Sequence, residues 1–423
     1  MTITLALHKA ALFAVKKLKA YVQLLEASLT GVTRRALMAS AAALCGLVPL
    51  HALADASQVS LAGLAYAGDS QTLEQRFPYS RRYEKGLAAG VGSSLPLARI
   101  QAAVSQTPPQ NFQVTQDRIA ELKGRDQAIV SSLVISSETV SVETFGNLRK
   151  LIVLIRGQAL FFDFKTMTVL RSYPVRFAHI EAFDHQPTEE EVLTRVKLLY
   201  EGTDSQPGLF TRYANVLAKA TLPGQASHTI KVAQVNLSPD LLSMLPPYLK
   251  GTPGIADTWA ADLVAEALST RTGVPVIPYT QGYATGKVMS MRVADGDVYL
   301  LKLPDPDYAI TVEFTGLKKV KYSENAIGAS FVYGSFANVK IEEPLSGTVY
   351  MNAAVKNAEV KVVPATQTTV DDFPAFYDSI NGLFEKLSDA AAGKGNTWVK
   401  AASPNPDIET QIAKTKDMLK LCK

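Results

Sequence analysis

The densest group of residues able to do chemistry is His179, Glu181, Asp184 and His185. On an extended strand alternate side chains share a face, so His179, Glu181 and His185 point the same way, and two imidazoles with a carboxylate suit a metal such as zinc. Strand ligands six positions apart are separated by about 20 Å, however, which one ion does not bridge. The group therefore reads as a polar strand end, and no metal is assigned to it. Ser93-Ser94 after Gly90-Val91-Gly92 lacks the third glycine of a dinucleotide fingerprint and the lysine of a P-loop, so it reads as a flexible linker. Asp305-Pro306-Asp307 fits a turn before a strand better than an acidic ligand loop. No Gly-x-Ser-x-Gly elbow is present, and beyond residue 54 only His179, His185 and His228 are left to serve as bases. No catalytic, cofactor-binding or metal-binding residue is assigned.

The amino terminus carries an address instead. Arg34-Arg35 stands before an uncharged run from Ala36 to Ala54 that closes on Ala52-Leu53-Ala54 and Asp55. A basic start, an apolar middle and small residues at the minus-three and minus-one positions are the parts of a secretory leader, cleaved between Ala54 and Asp55. Thr33-Arg34-Arg35-Ala36-Leu37-Met38 resembles the twin-arginine export signal, an address read by a receptor. Alternatives are an ordinary secretory leader with a basic start and, through residues 36–54, an uncleaved inner-membrane anchor; Gly46 and Pro49 argue against the anchor. Residues 1–30 interleave Leu5, Leu7, Leu12 and Leu18 with Lys9, Lys16, Lys17 and Lys19, as a basic amphipathic stretch or a start codon set too far upstream.

The formal charge of +4 belongs mostly to this leader, where six Lys/Arg face Glu26 alone, a surplus of five; the remainder nets −1. With no basic stripe left, nucleic-acid binding has no support. Cys45 lies in the leader and leaves Cys422 alone at the chain end, so no intrachain disulfide forms and the fold rests on its core. Near a terminus, Cys422 is expected on a frayed tail or in a link between two chains.

An internal repeat positions everything else. Residues 126–142 alternate apolar and polar side chains, 150–164 and 167–177 are two further strands, and together they predict an antiparallel meander. Thr188 with Glu191 forms a capping box that starts a helix bearing Val192, Val196, Leu199 and Tyr200 on one side. The same order returns: strands at 307–322, 327–341 and 348–363, then a helix after Asp371-Asp372 carrying Phe376, Ile380, Leu383 and Phe384. Upstream, a strand at 229–237, a helix at 257–270 capped by Gly273 and a strand at 274–277 match more loosely a strand at 59–65, a helix at 79–87 and a strand at 112–114. A hairpin, 289–293 with 298–303 through Asp295-Gly296, belongs to the second half alone. Residues 393–406 read as a linker and 407–421 as a charged amphipathic helix that docks on its own domain.

These patterns predict an α+β protein: an export leader (1–54), two related modules (55–222 and 223–392), each an antiparallel β-meander packed against helices, and a linker with a carboxy-terminal helix (393–423). The order β-α-β, meander, helix resembles small envelope domains, namely the amino-terminal domain of the Tol-system translocation protein and the periplasmic domain of the curli secretion channel. Those are binding and assembly modules, so the resemblance implies a non-enzymatic role. Phe77, Tyr79, Arg81, Arg82 and Tyr83, with Trp398 further on, mix aromatic and charged groups as a partner surface does. The expectation is a periplasmic binding or assembly protein without a cofactor. Its partner is an envelope protein or glycan, or a second copy, and it meets the membrane only through an uncleaved leader. The rivals are a carboxylate hydrolase of envelope polymers, using Glu181, Asp184 or Asp305, and a membrane-anchored subunit of a secretion complex.

Overall fold

The computed structural model describes residues 57–423 except 69, 90–95, 116–118, 123–127, 146, 224–226, 251–253, 280–283, 286–287, 294–295, 368–369 and 396. The export signal (Arg34, Arg35), the cleavage site (Ala52, Ala54, Asp55) and the glycine-serine linker at 90–94 lie outside the described residues. Residues 56–423 form one compact unit.

The first meander is realised with its upstream elements attached. In chain order come β1 (Gln58–Ala67), α1 (Leu73–Arg76), α2 (Pro78–Ala89), α3 (Pro96–Gln106), β2 (Gln113–Thr115), β3 (Ile129–Phe145), β4 (Leu148–Asp163), β5 (Thr168–Phe183), α4 (Glu189–Glu201) and α5 (Leu209–Lys219). The strands lie in the order β2-β1-β3-β4-β5, with β1 parallel to both neighbours and the meander antiparallel. Nearly every residue of β1 is buried, as expected of a parallel strand covered on both faces. One face packs Leu64, Tyr66 and Phe161 against Tyr83, Ile100, Val196 and Tyr213 of the helices. The capping box at the start of α4 is present, with Thr188 Oγ1 accepting from Glu191 N at 3.2 Å and Thr188 N donating to the Glu191 carboxylate at 2.8 Å.

The second half supplies β6 (Ile230–Leu237), α6 (Pro239–Met244), α7 (Ile255–Thr272), β7 (Ala284–Thr285), β8 (Val288–Val293), β9 (Val298–Lys302), β10 (Tyr308–Asn325), β11 (Gly328–Glu343), β12 (Thr348–Pro364), α8 (Phe373–Ala391), α9 (Thr397–Ala402) and α10 (Ile408–Leu421). Its sheet runs β12-β11-β10-β6, with β6 parallel to β10. The strand expected at 274–277 is reduced to a single parallel bridge between Lys231 and Ile277, because Pro275 and Pro278 remove the amides a longer ladder needs.

The halves repeat in register as well as in order. In each, the first strand pairs in parallel with the first strand of the meander, and three ladder irregularities recur at corresponding places. Ala62 and Ala233 are skipped in the first strands, Ser136 and Thr315 in the first meander strands, and Leu170 and Tyr350 in the last. Bulges re-aim side chains and are retained as built features, so their recurrence is a closer likeness between the halves than strand count.

The hairpin β8–β9 breaks the symmetry. It pairs with the first sheet, β8 antiparallel to β1 at Ala65–Ala67 and β9 parallel to β5 at Thr168, and so closes the ring β1-β3-β4-β5-β9-β8. Its Met289, Met291 and Leu301 fill the second face of the sheet against Ala65, Val130, Leu160 and Phe162. Gly296 at its turn has φ +109°, the region its glycine permits. Helix α7 is buried all round, with Trp259, Leu263, Val264 and Leu268 in the core, and ends on Gly273 at φ +74°.

Past residue 393, α9 occupies part of the expected linker, and α10 docks on β12 and α8. Cys422 is not frayed: its side chain is fully buried in the second core and its carbonyl neighbour Leu421 accepts from His228 N. Burial pushes the thiol up to about 12, and neither a frayed tail nor a link to another chain fits this placement.

Candidate binding surface

The aromatic and charged cluster before and within α2 is largely interior. Phe77 and Tyr83 are buried, Phe77 against Tyr66 at 5.1 Å and Tyr83 stacked on Tyr200 at 4.7 Å with its hydroxyl donating to Glu201 at 3.1 Å. Arg81 is also buried, bonded to Glu84 and to Glu74, with its guanidinium over the Tyr66 ring. Only Tyr79 and Arg82 reach solvent, and Arg82 is paired with Glu189. The expected partner surface is corrected for Phe77, Arg81 and Tyr83, which are interior: Tyr66, Glu74 and Glu84 take up the first two, and Tyr83 is taken up by Glu201 and Tyr200 on α4, far away in sequence.

The histidine cluster divides into two ion-pair groups. Both Glu181 oxygens accept from Arg195 on α4, at 2.7 and 2.9 Å, and Oε2 also meets His179 Nε2 at 2.9 Å. Arg195 and then His179 hold this carboxyl down to about 2. His185 sits between Asp184 and Glu191, its pKa raised by both. Asp307 bonds Thr229 N and Oγ1 at 2.7 and 3.0 Å, joining the starts of β6 and β10. These carboxylates are committed to structure.

The surface with unused capacity is the distal end of the second meander. Register places Phe336 and Lys356; Lys318, Gly334 and Ala358; and Val320, Val332 and Val360 in successive cross-strand rows, with Val362 beyond. Directly opposed residues share a face, and this one lies opposite Tyr333 and Ser335, which are buried, Tyr333 against Phe376 of α8. Val360, Val362, Tyr322 and Ile327 are 61, 67, 78 and 81% exposed, too apolar a grouping to be scattered surface residues. Beside them a groove of about 390 Å³ is bounded by Lys318, Val320, Phe336, Lys356 and, from α9, Trp398. Trp398, half-buried, is thus an expected partner residue that lies on a groove. Sequence reading passed over the distal residues because each alternates correctly for a strand; the signal was that Val320, Val332, Val360 and Val362 make one face of the distal strands apolar.

The groove continues into an open strand edge. Near its start, β12 is capped by the carboxy-terminal segment: Asn352 N donates to Gln411, Ala354 N to Asn405, and Ala354 O accepts from Ser403 Oγ at 2.7 Å. These bonds fix the even-numbered residues of β12 as the ones whose backbone faces outward. No such cap follows among the described residues for Lys356, Ala358, Val360 and Val362, which therefore present unpaired amides and carbonyls.

A second concentration of polar groups joins the two sheets. Arg156 and Arg176 on β4 and β5 face Asp262 and Glu266 on α7, at 3.8 Å for Arg156–Asp262 and 3.1 Å for Arg176–Glu266, around a cavity of about 20 Å³. Arg156 Nε, Arg176 Nη1 and Asp262 Oδ2 are buried without a hydrogen bond. Burial pushes Asp262 up to about 6 against the pull of Arg156. The Lys150 ammonium joins Glu143 at 2.8 Å and also Asp371, which precedes α8, adding another tie between halves. Beside the Arg176–Glu266 pair a groove of about 480 Å³ runs between α5 and α7, bordered by Arg212 and Lys219. Among the described residues no three His, Cys, Asp or Glu side chains are placed to hold a metal, and no helix is long and apolar enough to cross a membrane.

No family model and no curated protein matches the chain. Solved structures give local likenesses of low score. A Xanthomonas campestris protein of the family DUF330 is 11% identical over 40% of this chain and 83% of its own, with a TM-score of 0.20. A minor lipoprotein from Acinetobacter baumannii is 8% identical over 42% and 98%, at 0.20. A neuraminyllactose-binding hemagglutinin homolog from Helicobacter pylori is 10% identical over 38% and 92%, at 0.19.

Proposed function

We propose that this chain is an exported, periplasmic binding protein of the bacterial envelope that acts by surface recognition and not by chemistry. The export-type leader supports the location, and the bare apolar end of the second meander supports the activity. That end is the single observation that carries the reading. Exposing four large apolar side chains on one sheet end opposes solubility unless a partner covers them. The hydrolase rival needs paired free carboxylates in a cleft, whereas Glu181 is bonded by Arg195 and Asp184 is paired with His185. The division into modules 55–222 and 223–392 is retained as a proposal about ancestry, with the β8–β9 hairpin lent to the first sheet.

Two measurements test this. Cell fractionation of the wild-type chain and of Arg34→Lys with Arg35→Lys should find the first in the periplasm and the second retained inside. Native electrophoresis of mild envelope extracts should show the chain in a species larger than itself, reduced to the free chain by Val320→Glu with Val360→Glu. A cytosolic wild type, or complexes indifferent to the two glutamates, contradicts the proposal.

A further inference from the structure

We infer that the partner is an extended, acidic polypeptide segment that adds as a further strand to the outer edge of β12. The inference rests on the binding reading above and specifies its mode. Lys356, Ala358, Val360 and Val362 offer four outward amides and four outward carbonyls in one row. An added strand satisfies those groups, while its alternate side chains fall on the Val320–Val332–Val360 face and toward Trp398. The cap on Asn352 and Ala354 sets where the added strand must stop, since Gln411, Asn405 and Ser403 already fill the edge there.

Charge selects the occupant. On the face formed by Gly316 to Val320, Ser330 to Phe336 and Lys356 to Val362, the charged side chains are Lys318 and Lys356, and the register puts no acid among them. The neighbouring Lys319, Lys321, Lys361 and Lys386 each have an acid of their own, in Asp372, Glu324, Asp378 and Glu359. A second copy joined edge to edge would bring two more lysines to the same face with nothing to answer them. An acidic segment with apolar alternation answers both the lysines and the valines.

The test is selection of random peptides displayed on phage against the chain purified as cells produce it, followed by anisotropy titration of the enriched peptides. The expected winners alternate apolar residues and carry net negative charge. Their affinity should fall at least about tenfold on Val360→Pro, which deletes one outward amide at a position where an edge strand tolerates proline, and on Lys318→Glu with Lys356→Glu. N-methylation of alternate peptide amides should weaken binding in one phase and not in the other, a readout that leaves the protein untouched. Binding lost on Val320→Glu but indifferent to Val360→Pro and to N-methylation keeps the recognition face and overturns strand addition. Failure to enrich any peptide overturns the inference. So does a dimer in light scattering that Val360→Pro dissociates, which would make a second copy the occupant.

Discussion

Asp262→Asn isolates the ionic contact that joins the two sheets. In the folded chain the Asp262 carboxyl is raised from 3.8 to about 6, chiefly by burial beside α7 and the first sheet, with Arg156 opposing the rise. Between these values the folded state holds a proton that the unfolded state has released, so the contribution of this group to stability falls as pH rises through the window and is recovered on acidification. From pH 7 to pH 4.5 the recovery is about 2 kcal/mol, at about 1.4 kcal/mol per unit. Because the side chain keeps 23% of its surface exposed, about 1 to 2 kcal/mol is the sounder figure. The assay is urea unfolding followed by tryptophan fluorescence, for which Trp259, buried on the same helix, is a reporter. Wild-type stability minus that of Asp262→Asn should grow by this amount between pH 7 and pH 4.5. Glu266, Arg176 and Tyr377 face the same site in both proteins, so their contributions largely cancel in the difference. An equal difference at the two pH values would refute the reasoning, for it would mean that water reaches the contact and that the sheets are less closely joined.

Three further outcomes follow from packing. Cys422 should resist a thiol reagent in the native chain at pH 8 and react fully in denaturant, with no disulfide dimer on a non-reducing gel; prompt native labelling would contradict its burial. Gly63→Ala should destabilise by about 1 to 2 kcal/mol in denaturant unfolding, since φ is +82° and the new Cβ meets Leu97 at 3.2 Å, whereas Gly296→Ala meets nothing and should cost only the strain of its positive φ. Arg195→Ala should let the Glu181 carboxyl rise from about 2 toward its ordinary range, read by carbon NMR titration; an unmoved value would show that Arg195 does not hold it.

Much of this architecture was legible locally. Alternation in 126–142 and 307–322 gave the long strands, Thr188 with Glu191 gave the start of α4, and Gly273 gave the end of α7, because each signal is complete within a few residues. Helix α5 was equally legible, since Leu209, Phe210, Tyr213, Ala214 and Leu217 fall at helical spacing, and went unread. What stayed hidden depends on distant partners. Tyr83 looks like a contact residue until Glu201 arrives, Cys422 looks terminal until α10 docks, and the hairpin looks like a second-half ornament until it closes the first sheet. The candidate edge was invisible for the same reason: whether β12 is open depends on where Ser403, Asn405 and Gln411 settle.

The most direct measurement is photocrosslinking in living cells, with a benzophenone amino acid placed at Val362 or, for comparison, at Leu300, an equally bare apolar position on the first sheet. A discrete adduct from position 362 in the periplasmic fraction, absent from position 300, is the expected result. No adduct at 362, or the same adducts from both positions, would contradict recognition through the second meander.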